Sequence, residues 1–179
     1  MREGLYALLF VIDKKVILLE YKTQAVSAQA LRLFAARAQR ALGLRDEVDI
    51  RITSNRELQD LNRRFRKKDR PTDVLSFPSA MPKLLGDIAV SAEIAAANAA
   101  ALGHSTETEI KILILHGLLH LAGYDHEHDH GKMQSRETGL RRQLQLPAGL
   151  IERGHAGGQP SATRGSAKSA AYKRQGRRK

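Results

Sequence analysis

The most informative part of the chain is residues 116–126, HGLLHLAGYDH, which hold three of its seven histidines. His116 and His120 are about one helical turn apart, so both imidazoles project from one face of the helix that the surrounding apolar residues predict. Gly123 permits a sharp turn after that helix, and the turn returns His126 toward the other two rings. Three converging imidazoles in a chain without cysteine predict an open site for one zinc ion, with a coordination position left for water.

The alternative interpretation is that these are ordinary buried histidines. Residues 110–121 are apolar on all sides of the predicted helix, so we expect the helix to be buried. Two imidazoles buried there without hydrogen-bond partners would each cost about 1–3 kcal/mol. A shared metal ion removes that cost for both rings, and the pattern therefore favours a metal site.

The spacing of the histidines is also that of the metzincin proteases, whose extended pattern is H-E-x-x-H-x-x-G-x-x-H. This chain departs from the pattern at one position, because Gly117 follows the first histidine where those enzymes have glutamate. In peptide hydrolysis that glutamate is the general base that activates the zinc-bound water. The residues therefore predict a zincin-like metal site without the usual protease chemistry, and a metzincin-like zinc peptidase is kept as an alternative.

Composition bounds the folded part of the chain. Of the 179 residues 42% are hydrophobic and only 4% are aromatic, which predicts one domain with an aliphatic core, assigned to residues 1–150. No apolar run approaches the roughly 18 residues of a membrane span. The N-terminal apolar run is followed by Asp13-Lys14-Lys15 rather than a small-residue cleavage site, so we predict no signal peptide. The absence of cysteine agrees with a cytoplasmic protein.

The formal net charge of +11 is spread unevenly along the chain. Residues 154–179 contain seven Lys or Arg and no acidic residue, among Gly, Ser, Ala and Gln. This composition predicts a basic disordered tail over residues 151–179. Strong basicity favours a polyanionic partner through the release of counterions from phosphates, and no basic amphipathic helix with an aromatic face points to a membrane.

Hydrophobic periodicity predicts an α+β fold, in which a small mixed β-sheet is packed with helices and the metal-binding helix is central. Strands are predicted at residues 5–12 and 16–20, paired as a hairpin, and at residues 48–53, 73–78 and 86–90. Helix N-caps are predicted at Ser27, at Ser54 or Asn55, at Ser91 and at Ser105 or Thr106, with Gly43 and Gly103 ending helices and a last helix over residues 132–146.

The second of these helices is predicted to be amphipathic. Leu58, Leu61 and Phe65 recur at helical spacing and are expected to form its buried stripe. The segment that continues from it, Arg63 to Arg70, is strongly basic and is broken by Pro71.

Three ordered blocks of sequence resemble the signatures of one known family. The first, residues 61–78, is LNRRFRKKDRPTDVLSFP; the second is Gly86-Asp87-Ile88; the third is the metal motif, which ends in Gly123-Tyr124-Asp125-His126. Together they resemble the YbeY family of bacterial ribosomal RNA maturation factors, over about residues 45–140. A lone H-x-x-x-H pattern is weak, whereas three blocks in order make the resemblance specific.

The resemblance implies a metal-dependent, single-strand-specific endoribonuclease. It implies action on ribosomal RNA, notably the 3′ end of the small-subunit RNA, and a part in removing defective ribosomes. Single-stranded RNA, ribosomal RNA and the ribosome or its small subunit are the implied partners. Zinc binding then carries over to His116, His120 and His126, and the functional arginine of the family's basic block carries over to Arg66.

This implied chemistry agrees with the residue types present. A zinc ion held by three neutral imidazoles lowers the pKa of bound water to about 7, and attack by hydroxide or by the ribose 2′-hydroxyl both remain open. The guanidinium of Arg66 would stabilise negative charge on the phosphoryl oxygens. Asp125 either orients a histidine or stabilises the turn. The RNA backbone would be bound by Arg63, Arg64, Lys67, Lys68 and Arg70.

Some positions depart from the family pattern or fall outside it. Phe65 stands where tyrosine is expected, and Lys67 stands where glycine is common. His128 and His130 are either auxiliary ligands or solvated loop residues. A non-catalytic ribosome- or RNA-binding module with a structural metal is the other alternative, although an open coordination position suits catalysis better.

Overall fold

A computed structural model describes residues 17–19, 26–126 and 129–147 of the chain. Within them a single four-stranded sheet has the order β1-β2-β4-β3. The strands β1, β2 and β4 are parallel, and β3 is antiparallel to β4 at one edge. Their bounds are Ile17–Leu19 for β1, Glu47–Thr53 for β2, Val74–Pro78 for β3 and Leu84–Ser91 for β4.

Five α-helices and one π-helical turn accompany the sheet in the described residues. They are α1 (Ala28–Leu42), α2 (Asn55–Leu61), the π-helical turn (Asn62–Arg66), α3 (Ala92–Leu102), α4 (Thr106–Leu121) and α5 (Lys132–Gln143). The α+β class, the mixed sheet and the buried metal-binding helix are therefore as the periodicity predicts. No helix in this part of the chain has the length and apolar character needed to cross a bilayer.

Serine side chains begin four of these helices, as the sequence predicts. Ser27, Ser54, Ser91 and Ser105 each accept a hydrogen bond from the backbone N–H three residues later. Each bond satisfies one of the N–H groups that a helix start leaves without an intrahelical partner. Four of the helix starts are therefore determined locally.

The main core lies between α4 and one face of the sheet. Ile50, Ile88 and Val90 of the strands pack with Ile114 and Leu118 of α4 in one buried cluster, to which α1, α3 and α5 also contribute. Side chains alternate along a strand, so the neighbours of these residues face the other way. The opposite face carries a small second cluster of Leu58, Leu75 and Ala89, covered by α2.

The prediction that Phe65 belongs to the buried stripe of the second helix is wrong. Leu58 is fully buried, but Phe65 is 62% exposed. The α-helix ends at Leu61, and the π-helical turn that follows has the wider i→i+5 hydrogen bonding. That wider turn displaces Phe65 from the face on which an uninterrupted α-helix would place it.

Other differences concern boundaries. Strand β4 begins at Leu84, inside the predicted loop 79–85, and α5 ends at Gln143 rather than at residue 146. The strand β1 pairs in parallel with β2. Its predicted hairpin partner, residues 5–12, lies outside the described residues, as does the predicted tail.

Candidate metal centre

Three histidine side chains converge at the end of α4. His116 and His120 project from the last turns of the helix, and His126 follows the turn beyond it. Each of the three offers one ring nitrogen, and these atoms all lie within 4.8 Å of one another. The Nε2 atoms of His116 and His120 are 3.2 Å apart. The structure therefore brings together the three residues that the spacing predicts.

The turn that returns His126 is a Schellman C-cap. Gly123 has φ of 87°, in the left-handed region that favours glycine. Its N–H donates to the carbonyl of His120 at 3.0 Å, and the N–H of Tyr124 donates to the carbonyl of Leu119 at 3.1 Å. This nested pair of hydrogen bonds is the signature of the motif, and it reverses the chain immediately after the helix.

The other ring nitrogens of two histidines have fixed partners. His116 Nδ1 lies 3.1 Å from the carboxylate oxygen Oε2 of Glu137, and His120 Nδ1 lies 3.1 Å from the carbonyl oxygen of Tyr124. Both partners are acceptors, so each Nδ1 carries a hydrogen and donates it. In the neutral rings the Nε2 atoms are then the ones that bear lone pairs, and these are the atoms that face each other.

The residues present fit a metal ion. Burial, together with the neighbouring charges of His116 and His126, lowers the pKa of His120 to about 4, so this ring is neutral near pH 7. A lone pair on His120 Nε2 therefore requires a cation or a proton between the rings. A proton bridges only two nitrogens, whereas a metal ion accepts electron pairs from all three imidazoles.

Glu137 is the site residue that the sequence analysis missed. Its side chain is 1% exposed, and its other oxygen, Oε1, accepts from Arg141 Nε at 2.9 Å and Nη2 at 2.6 Å. Burial raises the pKa of Glu137, but its contacts with His116 and Arg141 outweigh burial and leave the pKa below its ordinary value. The helical spacing of Met133, Glu137 and Leu140 was the available signal, since it places Glu137 on the buried face of α5.

Steric crowding explains why glycine is present at position 117. A Cβ atom there would lie 2.9 Å from Ile88 Cγ2 and 3.0 Å from Ser76 Oγ. Ser76 Oγ also donates to the Gly117 carbonyl at 3.2 Å. Strands β3 and β4 therefore occupy the space that a protease glutamate at this position would need.

The basic segment meets strand β3 through the contact of Phe65 with Phe77. Arg66 ends the π-helical turn, is exposed, and forms no hydrogen bond or ion pair with the three histidines. Arg63 forms an ion pair with Asp60 at 2.6 Å and lies 3.5 Å from Asp69. The other basic residues of the segment are also exposed: Arg64, Lys67, Lys68 and Arg70.

The departure from glycine at position 67 has a structural consequence. Lys67 has φ of 58°, in the left-handed region that costs an L residue about 1–2 kcal/mol. A glycine would adopt it without that cost. Lys67 directly follows Arg66, the last residue of the π-helical turn, and is the C-cap of that turn.

Two further predicted positions can be placed. Asp125 is half-buried, and its carbonyl accepts from the N–H of Asp129 at 3.0 Å. His130 is exposed, as expected of a solvated loop residue, and His128 lies outside the described residues.

Comparison with known proteins shows the family to which this chain is similar. The model of the family described as Endoribonuclease YbeY matches residues 12–145. A protein named Endoribonuclease YbeY from Koribacter versatilis is 54% identical over 138 residues, covering 77% of this chain and 91% of its own length. One of the same name from Solibacter usitatus is 53% identical over 124 residues, covering 69% of this chain and 84% of its own.

A solved structure shows the same fold. The solution structure of a Thermotoga maritima protein superimposes with a TM-score of 0.51 at 28% identity, covering 72% of this chain and 89% of that one. The family model spans the sheet, the metal helix and the buried carboxylate of Glu137 together. This chain is therefore a member of the Endoribonuclease YbeY family.

Proposed function

We propose that this protein cuts single-stranded RNA with one zinc ion held by His116, His120 and His126. The observation that carries the proposal is the pair of Nε2 atoms 3.2 Å apart, each on a ring whose Nδ1 is already hydrogen-bonded. An all-imidazole donor set without thiolate suits zinc among the common metals. The names of the relatives supply the substrate, RNA, and the type of reaction.

The chain's own residues would orient the site. When bound, a zinc ion supplies a Lewis acid and makes a coordinated water acidic enough to lose its proton near neutral pH. Glu137 holds the ring of His116 in the tautomer whose Nε2 has a lone pair to give to a metal ion. The Tyr124 carbonyl does the same for His120. Asp125 we assign either to the orientation of a histidine or to the turn.

The basic segment would bind the substrate. We assign Arg66 to the charge that develops on the phosphoryl oxygens, because its guanidinium is exposed and has no acidic partner among the described residues. We assign the RNA backbone to its basic neighbours Arg63, Arg64, Lys67, Lys68 and Arg70.

We further propose ribosomal RNA as the natural substrate, with the 3′ end of the small-subunit RNA as its target and a role in the removal of defective ribosomes. The net charge of +11 supports a large polyanionic partner. A ribosomal substrate implies the cytoplasm. The domain is assigned to residues 1–150 and a basic binding tail to residues 151–179.

The decisive experiment compares metal content and two substrates. The purified full-length protein is assayed for zinc, then offered single-stranded RNA and an unstructured peptide, beside His116→Ala and Arg66→Ala variants. We expect about one zinc per chain, RNA cleavage that both variants lose, and an intact peptide. Cleavage retained in both variants would indicate a contaminating nuclease.

Other outcomes would replace the proposal. Peptide cleavage that depends on His116 would identify a peptidase. RNA bound but never cut by zinc-loaded protein would identify a binding module.

A further inference from the structure

Four large apolar side chains are strongly exposed in the described part of the chain: Leu33 at 62%, Phe65 at 62%, Met81 at 67% and Leu102 at 48%. Phe65 is the aromatic one, and burial of a phenylalanine side chain is worth about 1.5–3 kcal/mol. Folding alone therefore does not account for its position. The π-helical turn moves it outward from the stripe to which sequence spacing assigns it.

The ring of Phe65 packs against the sheet on one side. It contacts Phe77 of β3 with ring centroids 5.0 Å apart and an angle of 61° between the planes. Such an edge-to-face contact uses only part of one ring. Phe77 in turn packs on the small cluster of Leu58, Leu75 and Ala89. The exposed part of Phe65 is thus an aromatic surface supported from below by Phe77 of the sheet.

Cations are the sequence neighbours of Phe65. Arg64 and Arg66 flank Phe65 in sequence, and Lys68 follows within the same turn and loop. Within the described residues, no hydrogen bond or ion pair engages the side chains of these three cations, whereas Arg63 is paired with Asp60. The nearest cations are therefore available to an anionic ligand.

We infer that Phe65 and its flanking cations form a nucleobase subsite, in which an unpaired base of single-stranded RNA stacks on the Phe65 ring. The ligand must be flat and apolar on one part and anionic on another, and a nucleotide has both properties. A base in a duplex is covered by its neighbours, so this subsite favours single strands. The inference rests on the proposed function for its choice of RNA.

The test measures binding rather than cleavage. Zinc-loaded full-length protein is titrated with a short 2′-O-methyl oligoadenylate carrying 2-aminopurine, and a gel confirms that the strand stays intact. An abasic strand of equal length is the second probe. The variants are Phe65→Leu, which stays apolar, and Phe65→Tyr, which keeps an aromatic ring. The control is Leu33→Ala, because Leu33 is as exposed as Phe65.

We expect binding to quench the 2-aminopurine fluorescence in the wild-type protein and in Phe65→Tyr. Phe65→Leu should abolish the quenching and weaken binding of the base-containing strand at least about 5-fold, the lower end of what one stacked base contributes. Binding of the abasic strand should be the same in all variants. Leu33→Ala should behave as the wild type, with unchanged thermal unfolding in every case.

Three results would overturn the subsite: no quenching in the wild-type protein, equal affinity of Phe65→Leu and wild type for the base-containing strand, or an equal loss with the abasic strand. The proposed function fails separately. A protein that never cuts RNA but shows Phe65-dependent quenching would keep the subsite and lose the nuclease. One that cuts RNA without that quenching would do the reverse.

Discussion

At the scale of single residues, the candidate metal centre includes groups that contact the histidines but are not themselves candidate ligands. Glu137 and the Tyr124 carbonyl each hold one imidazole through its Nδ1. Gly117 leaves room for two strands against the metal helix. The contacts of Glu137 and Gly117 join segments far apart in sequence, whereas the Tyr124 carbonyl is only four residues from His120. A change in any of them tests whether the geometry around the histidines matters as much as the histidines.

Glu137→Gln is expected to weaken zinc binding. The amide keeps the shape of the side chain but no longer requires a hydrogen on His116 Nδ1, and loss of such a partner typically reduces metal affinity about 10–100-fold. It also leaves the buried Arg141 without its counter-charge, which is strongly destabilising. Competition with a zinc chelator measures the affinity, and thermal unfolding measures the stability.

A double variant separates the two effects of that change. Glu137→Gln combined with Arg141→Met removes both buried charges, so part of the lost stability should return while zinc affinity stays low. Arg142→Met, an exposed arginine in the same helix, is the matched control and should change neither. Recovery of zinc affinity in the double variant would show that Glu137 acts on stability alone.

Gly117→Ala is expected to destabilise the fold. Its Cβ would meet Ile88 at 2.9 Å and Ser76 at 3.0 Å, and overpacking of this kind costs about 1–3 kcal/mol. Gly139→Ala in α5 is the control, because nothing lies within 4 Å of its Cβ. There alanine should stabilise by about 0.5–1 kcal/mol through its helix propensity. Denaturant unfolding of both variants measures the difference, and shifts of the same sign would contradict the packing argument.

At the scale of secondary-structure elements, the starts of the helices could be predicted from the sequence, but the contacts between elements could not. Four helices are capped by a serine whose side chain bonds the backbone N–H three residues later, namely Ser27, Ser54, Ser91 and Ser105. Both partners of such a bond lie within a short stretch of sequence, so the sequence pattern alone can reveal it. The π-helical turn depends on how the segment after α2 meets the edge of the sheet. Phe65 was therefore assigned to the wrong face, and Glu137 was overlooked because its partner lies on another helix.

Glu107 allows one such contact, between α4 and the start of α1, to be tested. Its carboxylate accepts from Lys111 Nζ at 2.6 Å within α4 and from the N–H of Ser27 at 3.0 Å, at the start of α1. The hydrogen bonds from Lys111 and Ser27 lower the pKa of Glu107 below its ordinary value of 4.5. The ionised form is thus favoured in the folded state, so its contribution is present above pH 4.5 and is lost as the pH falls through the lowered pKa.

Glu107→Gln should therefore destabilise the protein in a pH-dependent way. We expect a loss of about 0.5–1 kcal/mol at pH 7, since the carboxylate is partly exposed and screened. The difference from the wild type should shrink as the pH is lowered below 4.5. Urea unfolding at several pH values measures it. A difference that does not change with pH would mean that the charge of Glu107 contributes nothing.

At the scale of the whole molecule, the cluster of three histidines could be predicted from the sequence and the order of the strands could not. The three histidines were predicted from spacing, because two lie on one helix and the third follows a glycine turn. The strand order β1-β2-β4-β3 was not, because pairing between distant segments leaves no local pattern. The contact between Phe65 and Phe77 of β3 is another such long-range pairing, so it could not be foreseen either.

The basic C-terminal segment gives the last prediction. Removing residues 154–179 takes away seven of the 30 Lys and Arg residues and no acidic residue, which lowers the net charge from +11 to +4. Each phosphate contact on single-stranded nucleic acid contributes about 0.7 to the slope of log affinity against log salt. If all seven bind phosphates, the slope should become shallower by about 5, while short RNA substrates should still be cut.

Filter binding of a long unstructured RNA at several salt concentrations measures that slope. A full-length variant with glutamine at the seven basic positions keeps the length of the segment and removes only its charge, so it should behave like the truncated protein. Equal slopes for the wild type and both variants would show that the segment does not contact RNA. A loss confined to the truncation would assign the effect to chain length, because charge release acts on both variants alike.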